Sequence, residues 1–323
     1  MNRVLYIAST YYHALIACVK QMKDRRSSDL LCTDIPLGGE LSDRIRAGGL
    51  FEKVYYIENI GEYRAKNPLD HMLNLHRKNA EMIEKQLPFS FGDYREINVF
   101  HDDIWASRYM KDRRIKYRLL EDALDSFKHI SSSIFCYMIP KRRLRSWIKK
   151  TFRIGYVFCG YDDCTYEVEV NERAGVEIEP FASKKIKEAP RRELFDRLSA
   201  EDIELLKNIF MKAIPEIKPE ESCLLLTQPF FADGVMGSEE EQLSFYKKMT
   251  EKYLSGEKLV IKPHPRDPTD YSGTFPDAVV LDKNMPVEIL ELTGNTGYRK
   301  VLSVNSTSSG FIKAQKYIIT ETL

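Results

Sequence analysis

Short apolar runs that alternate with amphipathic segments constrain this chain more than any other feature. In the first half, amphipathic segments such as Tyr12–Met22 and Asp70–Gln86 lie between several of the runs. This alternation is typical of a parallel sheet covered by helices. The strands predicted in this half are Val4–Ala8, Asp29–Cys32, Lys53–Ile57, Ile97–Phe100, Lys116–Leu120 and Ile154–Phe158.

A second series of the same kind begins near residue 190. One helix is predicted after Ser199, whose hydroxyl can cap it, and another after the capping-box pair Ser238 and Glu241. The strands predicted in this half are Ser222–Thr227, Lys258–Ile261, Ala278–Leu281, Lys300–Val304 and Tyr317–Ile319.

The interval 177–192 is charged and contains Pro180 and Pro190, so we place a domain boundary there. The predicted domains are residues 1–189 and 190–323. Two α/β domains that face each other form a cleft, which is a natural site for a small ligand.

Composition excludes several function classes. The formal net charge of +1 gives no overall attraction to nucleic acid. No run approaches eighteen apolar residues, so no transmembrane helix is expected, and the N-terminus reads as a strand instead of a signal peptide. The six cysteines are scattered without a CxxC pair, which favours a reducing, cytoplasmic compartment.

The segment Lys262-Pro263-His264-Pro265-Arg266 follows a predicted strand, where open α/β sheets bind ligands. The prolines restrict the backbone on both sides of His264, and the two cations favour a nearby anion. The alternative is a loop histidine without a function.

Two further features of the second half suit a nucleotide. Ser306–Gly310 is predicted to open a helix, whose free N–H groups can bind phosphate, although plain N-capping is the alternative. Glu288 can accept hydrogen bonds from a ribose, or it can only complement a helix dipole.

Two acidic sites can supply a general base. Glu121-Asp122 follows one predicted strand and Asp233-Gly234 follows another, although paired acids are common on surfaces. The pairs Asp102-Asp103 and Asp162-Asp163 are weak evidence for a metal, and we predict none.

The segment Lys141–Arg153 is basic and amphipathic and contains a tryptophan. Such a helix can lie on an anionic membrane surface, or it can be a solvated helix that packs through its apolar side.

Several of these motifs, in this order, resemble those of the bacterial sialyltransferases, most closely glycosyltransferase family 52, the lipooligosaccharide sialyltransferase group. Ala123 stands where the family's acidic motif has glycine. The motifs that carry the resemblance are Ala8–Ile16, Leu120-Glu121-Asp122-Ala123, Lys262-Pro263-His264-Pro265, Pro286-Val287-Glu288 and Ser308-Ser309.

The resemblance implies a GT-B fold, with two Rossmann-like domains facing across a cleft, an acceptor side in 1–189 and a donor side in 190–323. It implies no cofactor or essential metal, and dimers for some members. It assigns catalysis to His264 and to either Asp122 or Asp233. It assigns donor binding to Lys262, Pro265, Glu288, Thr307, Ser308 and Ser309.

The function implied is an inverting transfer of sialic acid from CMP-sialic acid to a glycan hydroxyl, often galactose. The acceptor would belong to surface polysaccharide or lipooligosaccharide, including a lipid-linked one. The enzyme would be cytoplasmic and could contact the inner face of the plasma membrane through Lys141–Arg153. The alternatives are a hexosyltransferase that uses a UDP-sugar, and a non-catalytic, membrane-peripheral subunit of a glycan-assembly complex.

Overall fold

The computed structural model describes residues 3–36, 38–128, 156–176, 185–212, 217–254, 256–292, 294, 296–304 and 312–320. The basic segment Lys141–Arg153 lies outside these residues. Contacts within the chain divide it into two compact units, Met1–Arg197 and Leu198–Leu323. The boundary predicted after residue 189, with an acceptor side before it and a donor side after it, stays a prediction.

The described residues of the first unit form a seven-stranded parallel sheet of order β3-β2-β1-β4-β5-β6-β7. The inner strand β1 is buried along its whole length, as expected for a parallel sheet with helices on both faces. The strands are β1 (Val4–Ala8), β2 (Ser28–Thr33), β3 (Lys53–Ile57), β4 (Glu96–Val99), β5 (Tyr117–Leu120), β6 (Thr165–Val170) and β7 (Ile186–Glu188).

The helices of this unit begin where the sequence offers caps. The hydroxyl of Thr10 accepts a hydrogen bond from the backbone of His13, and Asn67 caps a helix that has Pro68 in its first turn. The helices in the described residues are α1 (Tyr11–Asp24), α2 (Gly38–Ala47), α3 (Pro68–Glu84), α4 (Trp105–Arg113) and α5 (Arg191–Phe195).

The predicted strand Ile154–Phe158 is wrong in the part that the structure describes, because residues 156–158 have no regular structure. The Tyr156 hydroxyl instead donates to Asp112 (3.0 Å). The strand after β5 is β6, which the sequence analysis missed because glutamates interrupt its apolar pattern. Glu169 of β6 is buried because Lys20 and Arg191 pair with it, each at 2.7 Å.

The second unit has a five-stranded parallel sheet in its described residues, of order β10-β9-β8-β11-β12. Ser199 and Asp202 form a reciprocal capping box at its first helix. The elements are α6 (Ala200–Phe210), β8 (Ser222–Leu226), α7 (Glu239–Tyr253), β9 (Lys258–Lys262), β10 (Val279–Val280), α8 (Glu288–Leu292), β11 (Tyr298–Val304) and β12 (Ala314–Thr320).

Each unit therefore has the parallel, helix-covered sheet of a Rossmann-like domain, and the predicted α/β class is confirmed. Among the described helices, none combines the length and the apolar character that a membrane span needs.

Gly160 offers a test of packing in the first unit. Its φ is +78°, and a Cβ there would lie 2.6 Å from Val168 Cγ2. We expect Gly160→Ala to lower the free energy of unfolding by roughly 2–5 kcal/mol, because about 1–2 kcal/mol of left-handed strain adds to about 1–3 kcal/mol of overpacking. Denaturant titration measures this loss.

The matched control is Gly49→Ala, because Gly49 has φ +66° and nothing within 4 Å of the added Cβ. This variant should lose only the roughly 1–2 kcal/mol of backbone strain. Equal losses in the two variants would contradict the packing described around Gly160.

Candidate active site

A first polar cluster lies at the carboxyl ends of three neighbouring strands. Ile7 of β1 lies beside Val99 of β4, and Val99 lies beside Leu119 of β5. The residues that follow these strands therefore meet at one edge of the sheet. They supply His13 from the first turn of α1, His101 after β4 and Asp122 after β5.

Both histidines contact the same carboxylate oxygen. His13 Nε2 and His101 Nε2 each lie 2.7 Å from Oδ1 of Asp122. The His13 side chain is completely buried, whereas the Asp122 side chain is 37% exposed. Both histidines approach the carboxylate through Oδ1. Oδ2 is thus the oxygen that can meet a substrate hydroxyl.

His13 has a fixed tautomer. The backbone N–H of Ser9 donates to its Nδ1 (3.3 Å), so the ring proton lies on Nε2 and is donated to Asp122. The ring stacks on Phe100, with centroids 4.5 Å apart. Burial lowers the pKa of His13, although Asp122 partly offsets this. His13 is therefore a neutral donor.

His101 has the opposite protonation. Its Nδ1 lies 2.9 Å from Oδ1 of Asp103, while its Nε2 faces Asp122. Burial opposes the charged ring, but the two carboxylates outweigh it and raise the pKa of His101 to about 10. His101 is therefore an imidazolium between two anions.

These donors keep Asp122 ionised. Its burial acts to raise the pKa, but the charge of His101 and the hydrogen bonds from both histidines hold the pKa of Asp122 well below its usual range. Asp122 therefore remains an oriented carboxylate at neutral pH.

The same three side chains could hold a metal, since their ligand atoms lie within 4.8 Å of one another. A metal on Nε2 of His13 would require a proton on Nδ1, and the N–H of Ser9 already points at that nitrogen. This contact favours shared protons over metal ligation. The prediction that no metal takes part stays a prediction.

The acids next to this cluster hold loops. Glu121 is buried and accepts from the backbone of Asn171 (2.6 Å) and Phe127 (3.3 Å). Asp102 accepts from the backbone of Cys159 (2.8 Å) and Gly160 (3.0 Å).

Ala123 is compatible with the backbone conformation of the acidic motif Leu120-Glu121-Asp122-Ala123. The left-handed residue in the turn after Asp122 is Asp125, with φ 57°, and Ala123 does not have a positive φ. The turn therefore does not need glycine at position 123.

A second polar cluster lies at the carboxyl ends of β8 and β9. Leu226 lies beside Lys262 in the sheet, so Thr227 and the loop of His264 are neighbours. The backbone N–H of His264 donates to Oγ1 of Thr227 (3.3 Å), and the N–H of Asp267 closes the loop on the His264 carbonyl (2.9 Å).

The buried carboxylate of Asp267 holds this loop. It accepts from the hydroxyls of Thr227 (3.1 Å) and Tyr271 (2.6 Å) and from Nε2 of Gln242 (3.2 Å). Gln242 Oε1 accepts from the backbone of Phe231 (2.8 Å), which belongs to the loop that carries Asp233. The pair Asp267 and Gln242 therefore joins the two loops.

This arrangement fixes the ring of His264. The N–H of Arg266 donates to Nδ1 (3.1 Å), so the ring proton lies on Nε2. Burial, together with the charges of Arg266 and Lys262, lowers the pKa of His264 to about 4. His264 is thus a neutral ring that offers one N–H.

The other residues predicted for donor binding have different environments. Lys262 is buried and donates to the carbonyls of Pro263 (2.7 Å) and Lys283 (2.9 Å), and burial lowers its pKa to about 8. Burial raises the pKa of Glu288, the first residue of α8, to about 7. Pro265 is exposed. Thr307, Ser308 and Ser309 lie outside the described residues.

Asp233 is engaged in an ion pair. Its Oδ1 and Oδ2 accept from the two terminal nitrogens of Arg266, at 2.6 Å and 3.1 Å. Both candidate bases are therefore oriented, Asp122 through one oxygen and Asp233 through both.

The sequence patterns indicated no role for His13, His101, Gln242 and Asp267, and they presented Asp103 only as weak evidence for a metal. A signal existed for two of them, because His13 lies in the opening motif and Asp267 directly follows Arg266.

Comparisons with known proteins agree with this architecture. The family model described as glycosyltransferase family 52 matches residues 74–315. An uncharacterized protein of Haemophilus influenzae is 37% identical over 117 residues, which make up 36% of this chain and only 37% of that relative.

Two solved structures were compared over nearly the whole chain. The alpha/beta-galactoside alpha-2,3-sialyltransferase of Photobacterium phosphoreum aligns with 100% of this chain and 92% of its own, with 12% identity and a TM-score of 0.58. The UDP-N-acetylglucosamine 2-epimerase of Rickettsia bellii aligns with 97% of this chain and 78% of its own, with 13% identity and a TM-score of 0.49. The first likeness shows that the fold is shared across both units.

The charge state of His101 can be measured. By NMR titration of the histidine side chains, we expect His101 to titrate near pH 10 and His264 near pH 4. Asp103→Asn should lower the pKa of His101, because it removes one of the two anions. Since the folded pKa of His101 exceeds its unfolded value of about 6.5, the stability that His101 contributes is complete below pH 6.5 and is lost as the pH rises through 10.

His264 is the internal control of that titration, because Asp103→Asn should leave its pKa unchanged. A His101 ring that titrates near its ordinary value in the folded protein would contradict the network.

Proposed function

Because the chain belongs to glycosyltransferase family 52, we propose that it is an inverting sialyltransferase that uses CMP-sialic acid. The observation that carries the proposal is the fixed, neutral ring of His264, which offers Nε2–H where parallel sheets bind ligands. The fold shared with an alpha-2,3-sialyltransferase supports the transfer of sialic acid.

Asp122 is the base in this proposal. The acceptor hydroxyl meets Oδ2, gives up its proton there, and its oxygen forms the new bond to the anomeric carbon. The carboxylate is a weak base because both histidines stabilise its anion. Such a base suits an oxocarbenium-like transition state, in which the leaving bond is largely broken before the hydroxyl becomes acidic. The main contribution of Asp122 is then the orientation of the acceptor.

His264 stabilises the leaving group. The bond between the anomeric carbon and the phosphate oxygen breaks, and its electron pair stays on CMP. The Nε2–H of His264 donates a hydrogen bond to the charge that develops on the phosphate. Because the pKa of His264 is about 4, the ring does this as a neutral donor at neutral pH.

Asp233 is the less suitable base. Both of its oxygens accept from Arg266, and a neutral hydroxyl, unlike an anionic ligand, cannot replace the carboxylate charge at the guanidinium. Both histidines approach Asp122 through Oδ1, so we assign Oδ2 to the acceptor hydroxyl.

The remaining parts of the proposal concern partners. The acceptor is a galactose-terminated surface glycan, including a lipid-linked one at the inner face of the plasma membrane. Glu288 and the hydroxyls of residues 307–309 bind the ribose and phosphate of CMP, and no metal is needed.

A transfer assay with purified protein tests the proposal. We expect release of CMP and formation of a sialylated product from CMP-sialic acid and a galactoside, with or without EDTA. His264→Ala and Asp122→Asn should each lower turnover about 100-fold or more, as the loss of an oriented catalytic group typically does. Asp233→Asn should stay within about tenfold of the wild type, because an exposed ion pair is worth little.

Matched donors separate the alternatives in the same assay. Release of UDP from a UDP-hexose, without release of CMP, would show the hexosyltransferase. If neither CMP nor UDP is released, the result would favour the non-catalytic subunit of a glycan-assembly complex. Loss of turnover in Asp233→Asn with near-normal turnover in Asp122→Asn would show that Asp233, and not Asp122, is the general base.

A further inference from the structure

The two cations beside His264 differ in what they can still bind. Lys262 is buried and already donates to two backbone carbonyls. Arg266 has a side chain that is 64% exposed, and its terminal nitrogens contact Asp233. Of these two, Arg266 is therefore the cation that an incoming anion can reach.

The partner of Arg266 can be exchanged. A planar guanidinium binds carboxylate and phosphate with the same two-pronged geometry. An ion pair with exposed side chains contributes little to stability, because water solvates both charges well. The Asp233 carboxylate thus occupies the position that an anionic ligand group would take, and a ligand can replace it at low cost.

The backbone of Arg266 is held firmly, although its side chain is exposed. Its N–H donates to Nδ1 of His264, and the next residue is the buried Asp267. The Arg266 backbone and the His264 ring therefore belong to one loop, and the Arg266 guanidinium is close enough to the ring for its charge to lower the pKa of His264.

We propose that Arg266 recognises an anionic group of the donor and that Asp233 is the internal carboxylate which this group displaces. The anion is either the nucleotide phosphate or the carboxylate of the transferred sugar. The inference rests on the proposed function, since it assumes that a donor binds at the loop of His264. It also gives Asp233 a role other than that of the base.

If the ligand replaces Asp233 at Arg266, substitutions of these two residues should change the ligand affinity in opposite directions. Arg266→Gln removes a charged donor, so the affinity for the ligand should fall about 10-fold or more. Asp233→Asn removes the competing charge and frees Arg266, so the affinity should rise about twofold to fivefold. The double variant should bind as weakly as Arg266→Gln, because Asp233 acts only through Arg266.

Calorimetric titration of the full chain with CMP, UMP, cytidine and CMP-sialic acid tests the exchange and identifies the anion. If the phosphate is recognised, the variants change the affinity for CMP and leave that for cytidine unchanged. If the sugar carboxylate is recognised, CMP is unaffected and only the affinity for CMP-sialic acid changes.

The matched control is Glu221→Gln. Glu221 pairs with Lys258 at 2.7 Å, and both side chains are exposed. Lys258 is the first residue of β9, whereas Lys262, next to the loop of His264, is the last. This variant makes the same change in net charge, so it should leave binding unchanged if the effect is local.

Three results would overturn the proposal. They are weaker or unchanged binding in Asp233→Asn, unchanged binding of every ligand in Arg266→Gln, and tighter binding in Glu221→Gln equal to that in Asp233→Asn. An alternative result is that the chain binds UMP and not CMP, with lower affinity in Arg266→Gln and higher affinity in Asp233→Asn. That result would refute the proposed donor and support the role of Arg266. Absence of binding by all these nucleotides would refute both.

Discussion

Val99 lies beside Ile7 and Leu119 in the first sheet, and Leu226 lies beside Lys262 in the second. Both clusters depend on this parallel pairing, because parallel neighbours end at the same edge of a sheet. Asp122 thereby meets two histidines that are distant in the sequence. By the same pairing, Thr227 supports the loop of His264.

Three histidines illustrate how the partner atom decides the chemistry of an imidazole. Backbone N–H groups donate to Nδ1 of His13 and His264, so each ring is neutral and has one N–H to donate. Carboxylates face both nitrogens of His101, so this ring is a cation. The first unit thereby holds an anion at Asp122, and the second unit holds a neutral donor at His264.

The sequence predicted the alternating elements well, because apolar strands and capped helices are local signals. It missed β6, whose Glu169 is neutralised by residues from α1 and α5. The loop of His264 could be predicted because prolines mark it, whereas the support from Asp267 could not, since its donors come from several elements. The histidines around Asp122 were missed for the same reason: only the strand register brings them together.

The most direct test of the central claim is a crystal structure of the full chain with CMP bound. The account predicts a phosphate oxygen within hydrogen-bond distance, about 2.7–3.2 Å, of Nε2 of His264, with the N–H of Arg266 still on Nδ1. A nucleotide whose phosphate lies away from this ring, or a ring that turns Nδ1 towards it, would contradict the account.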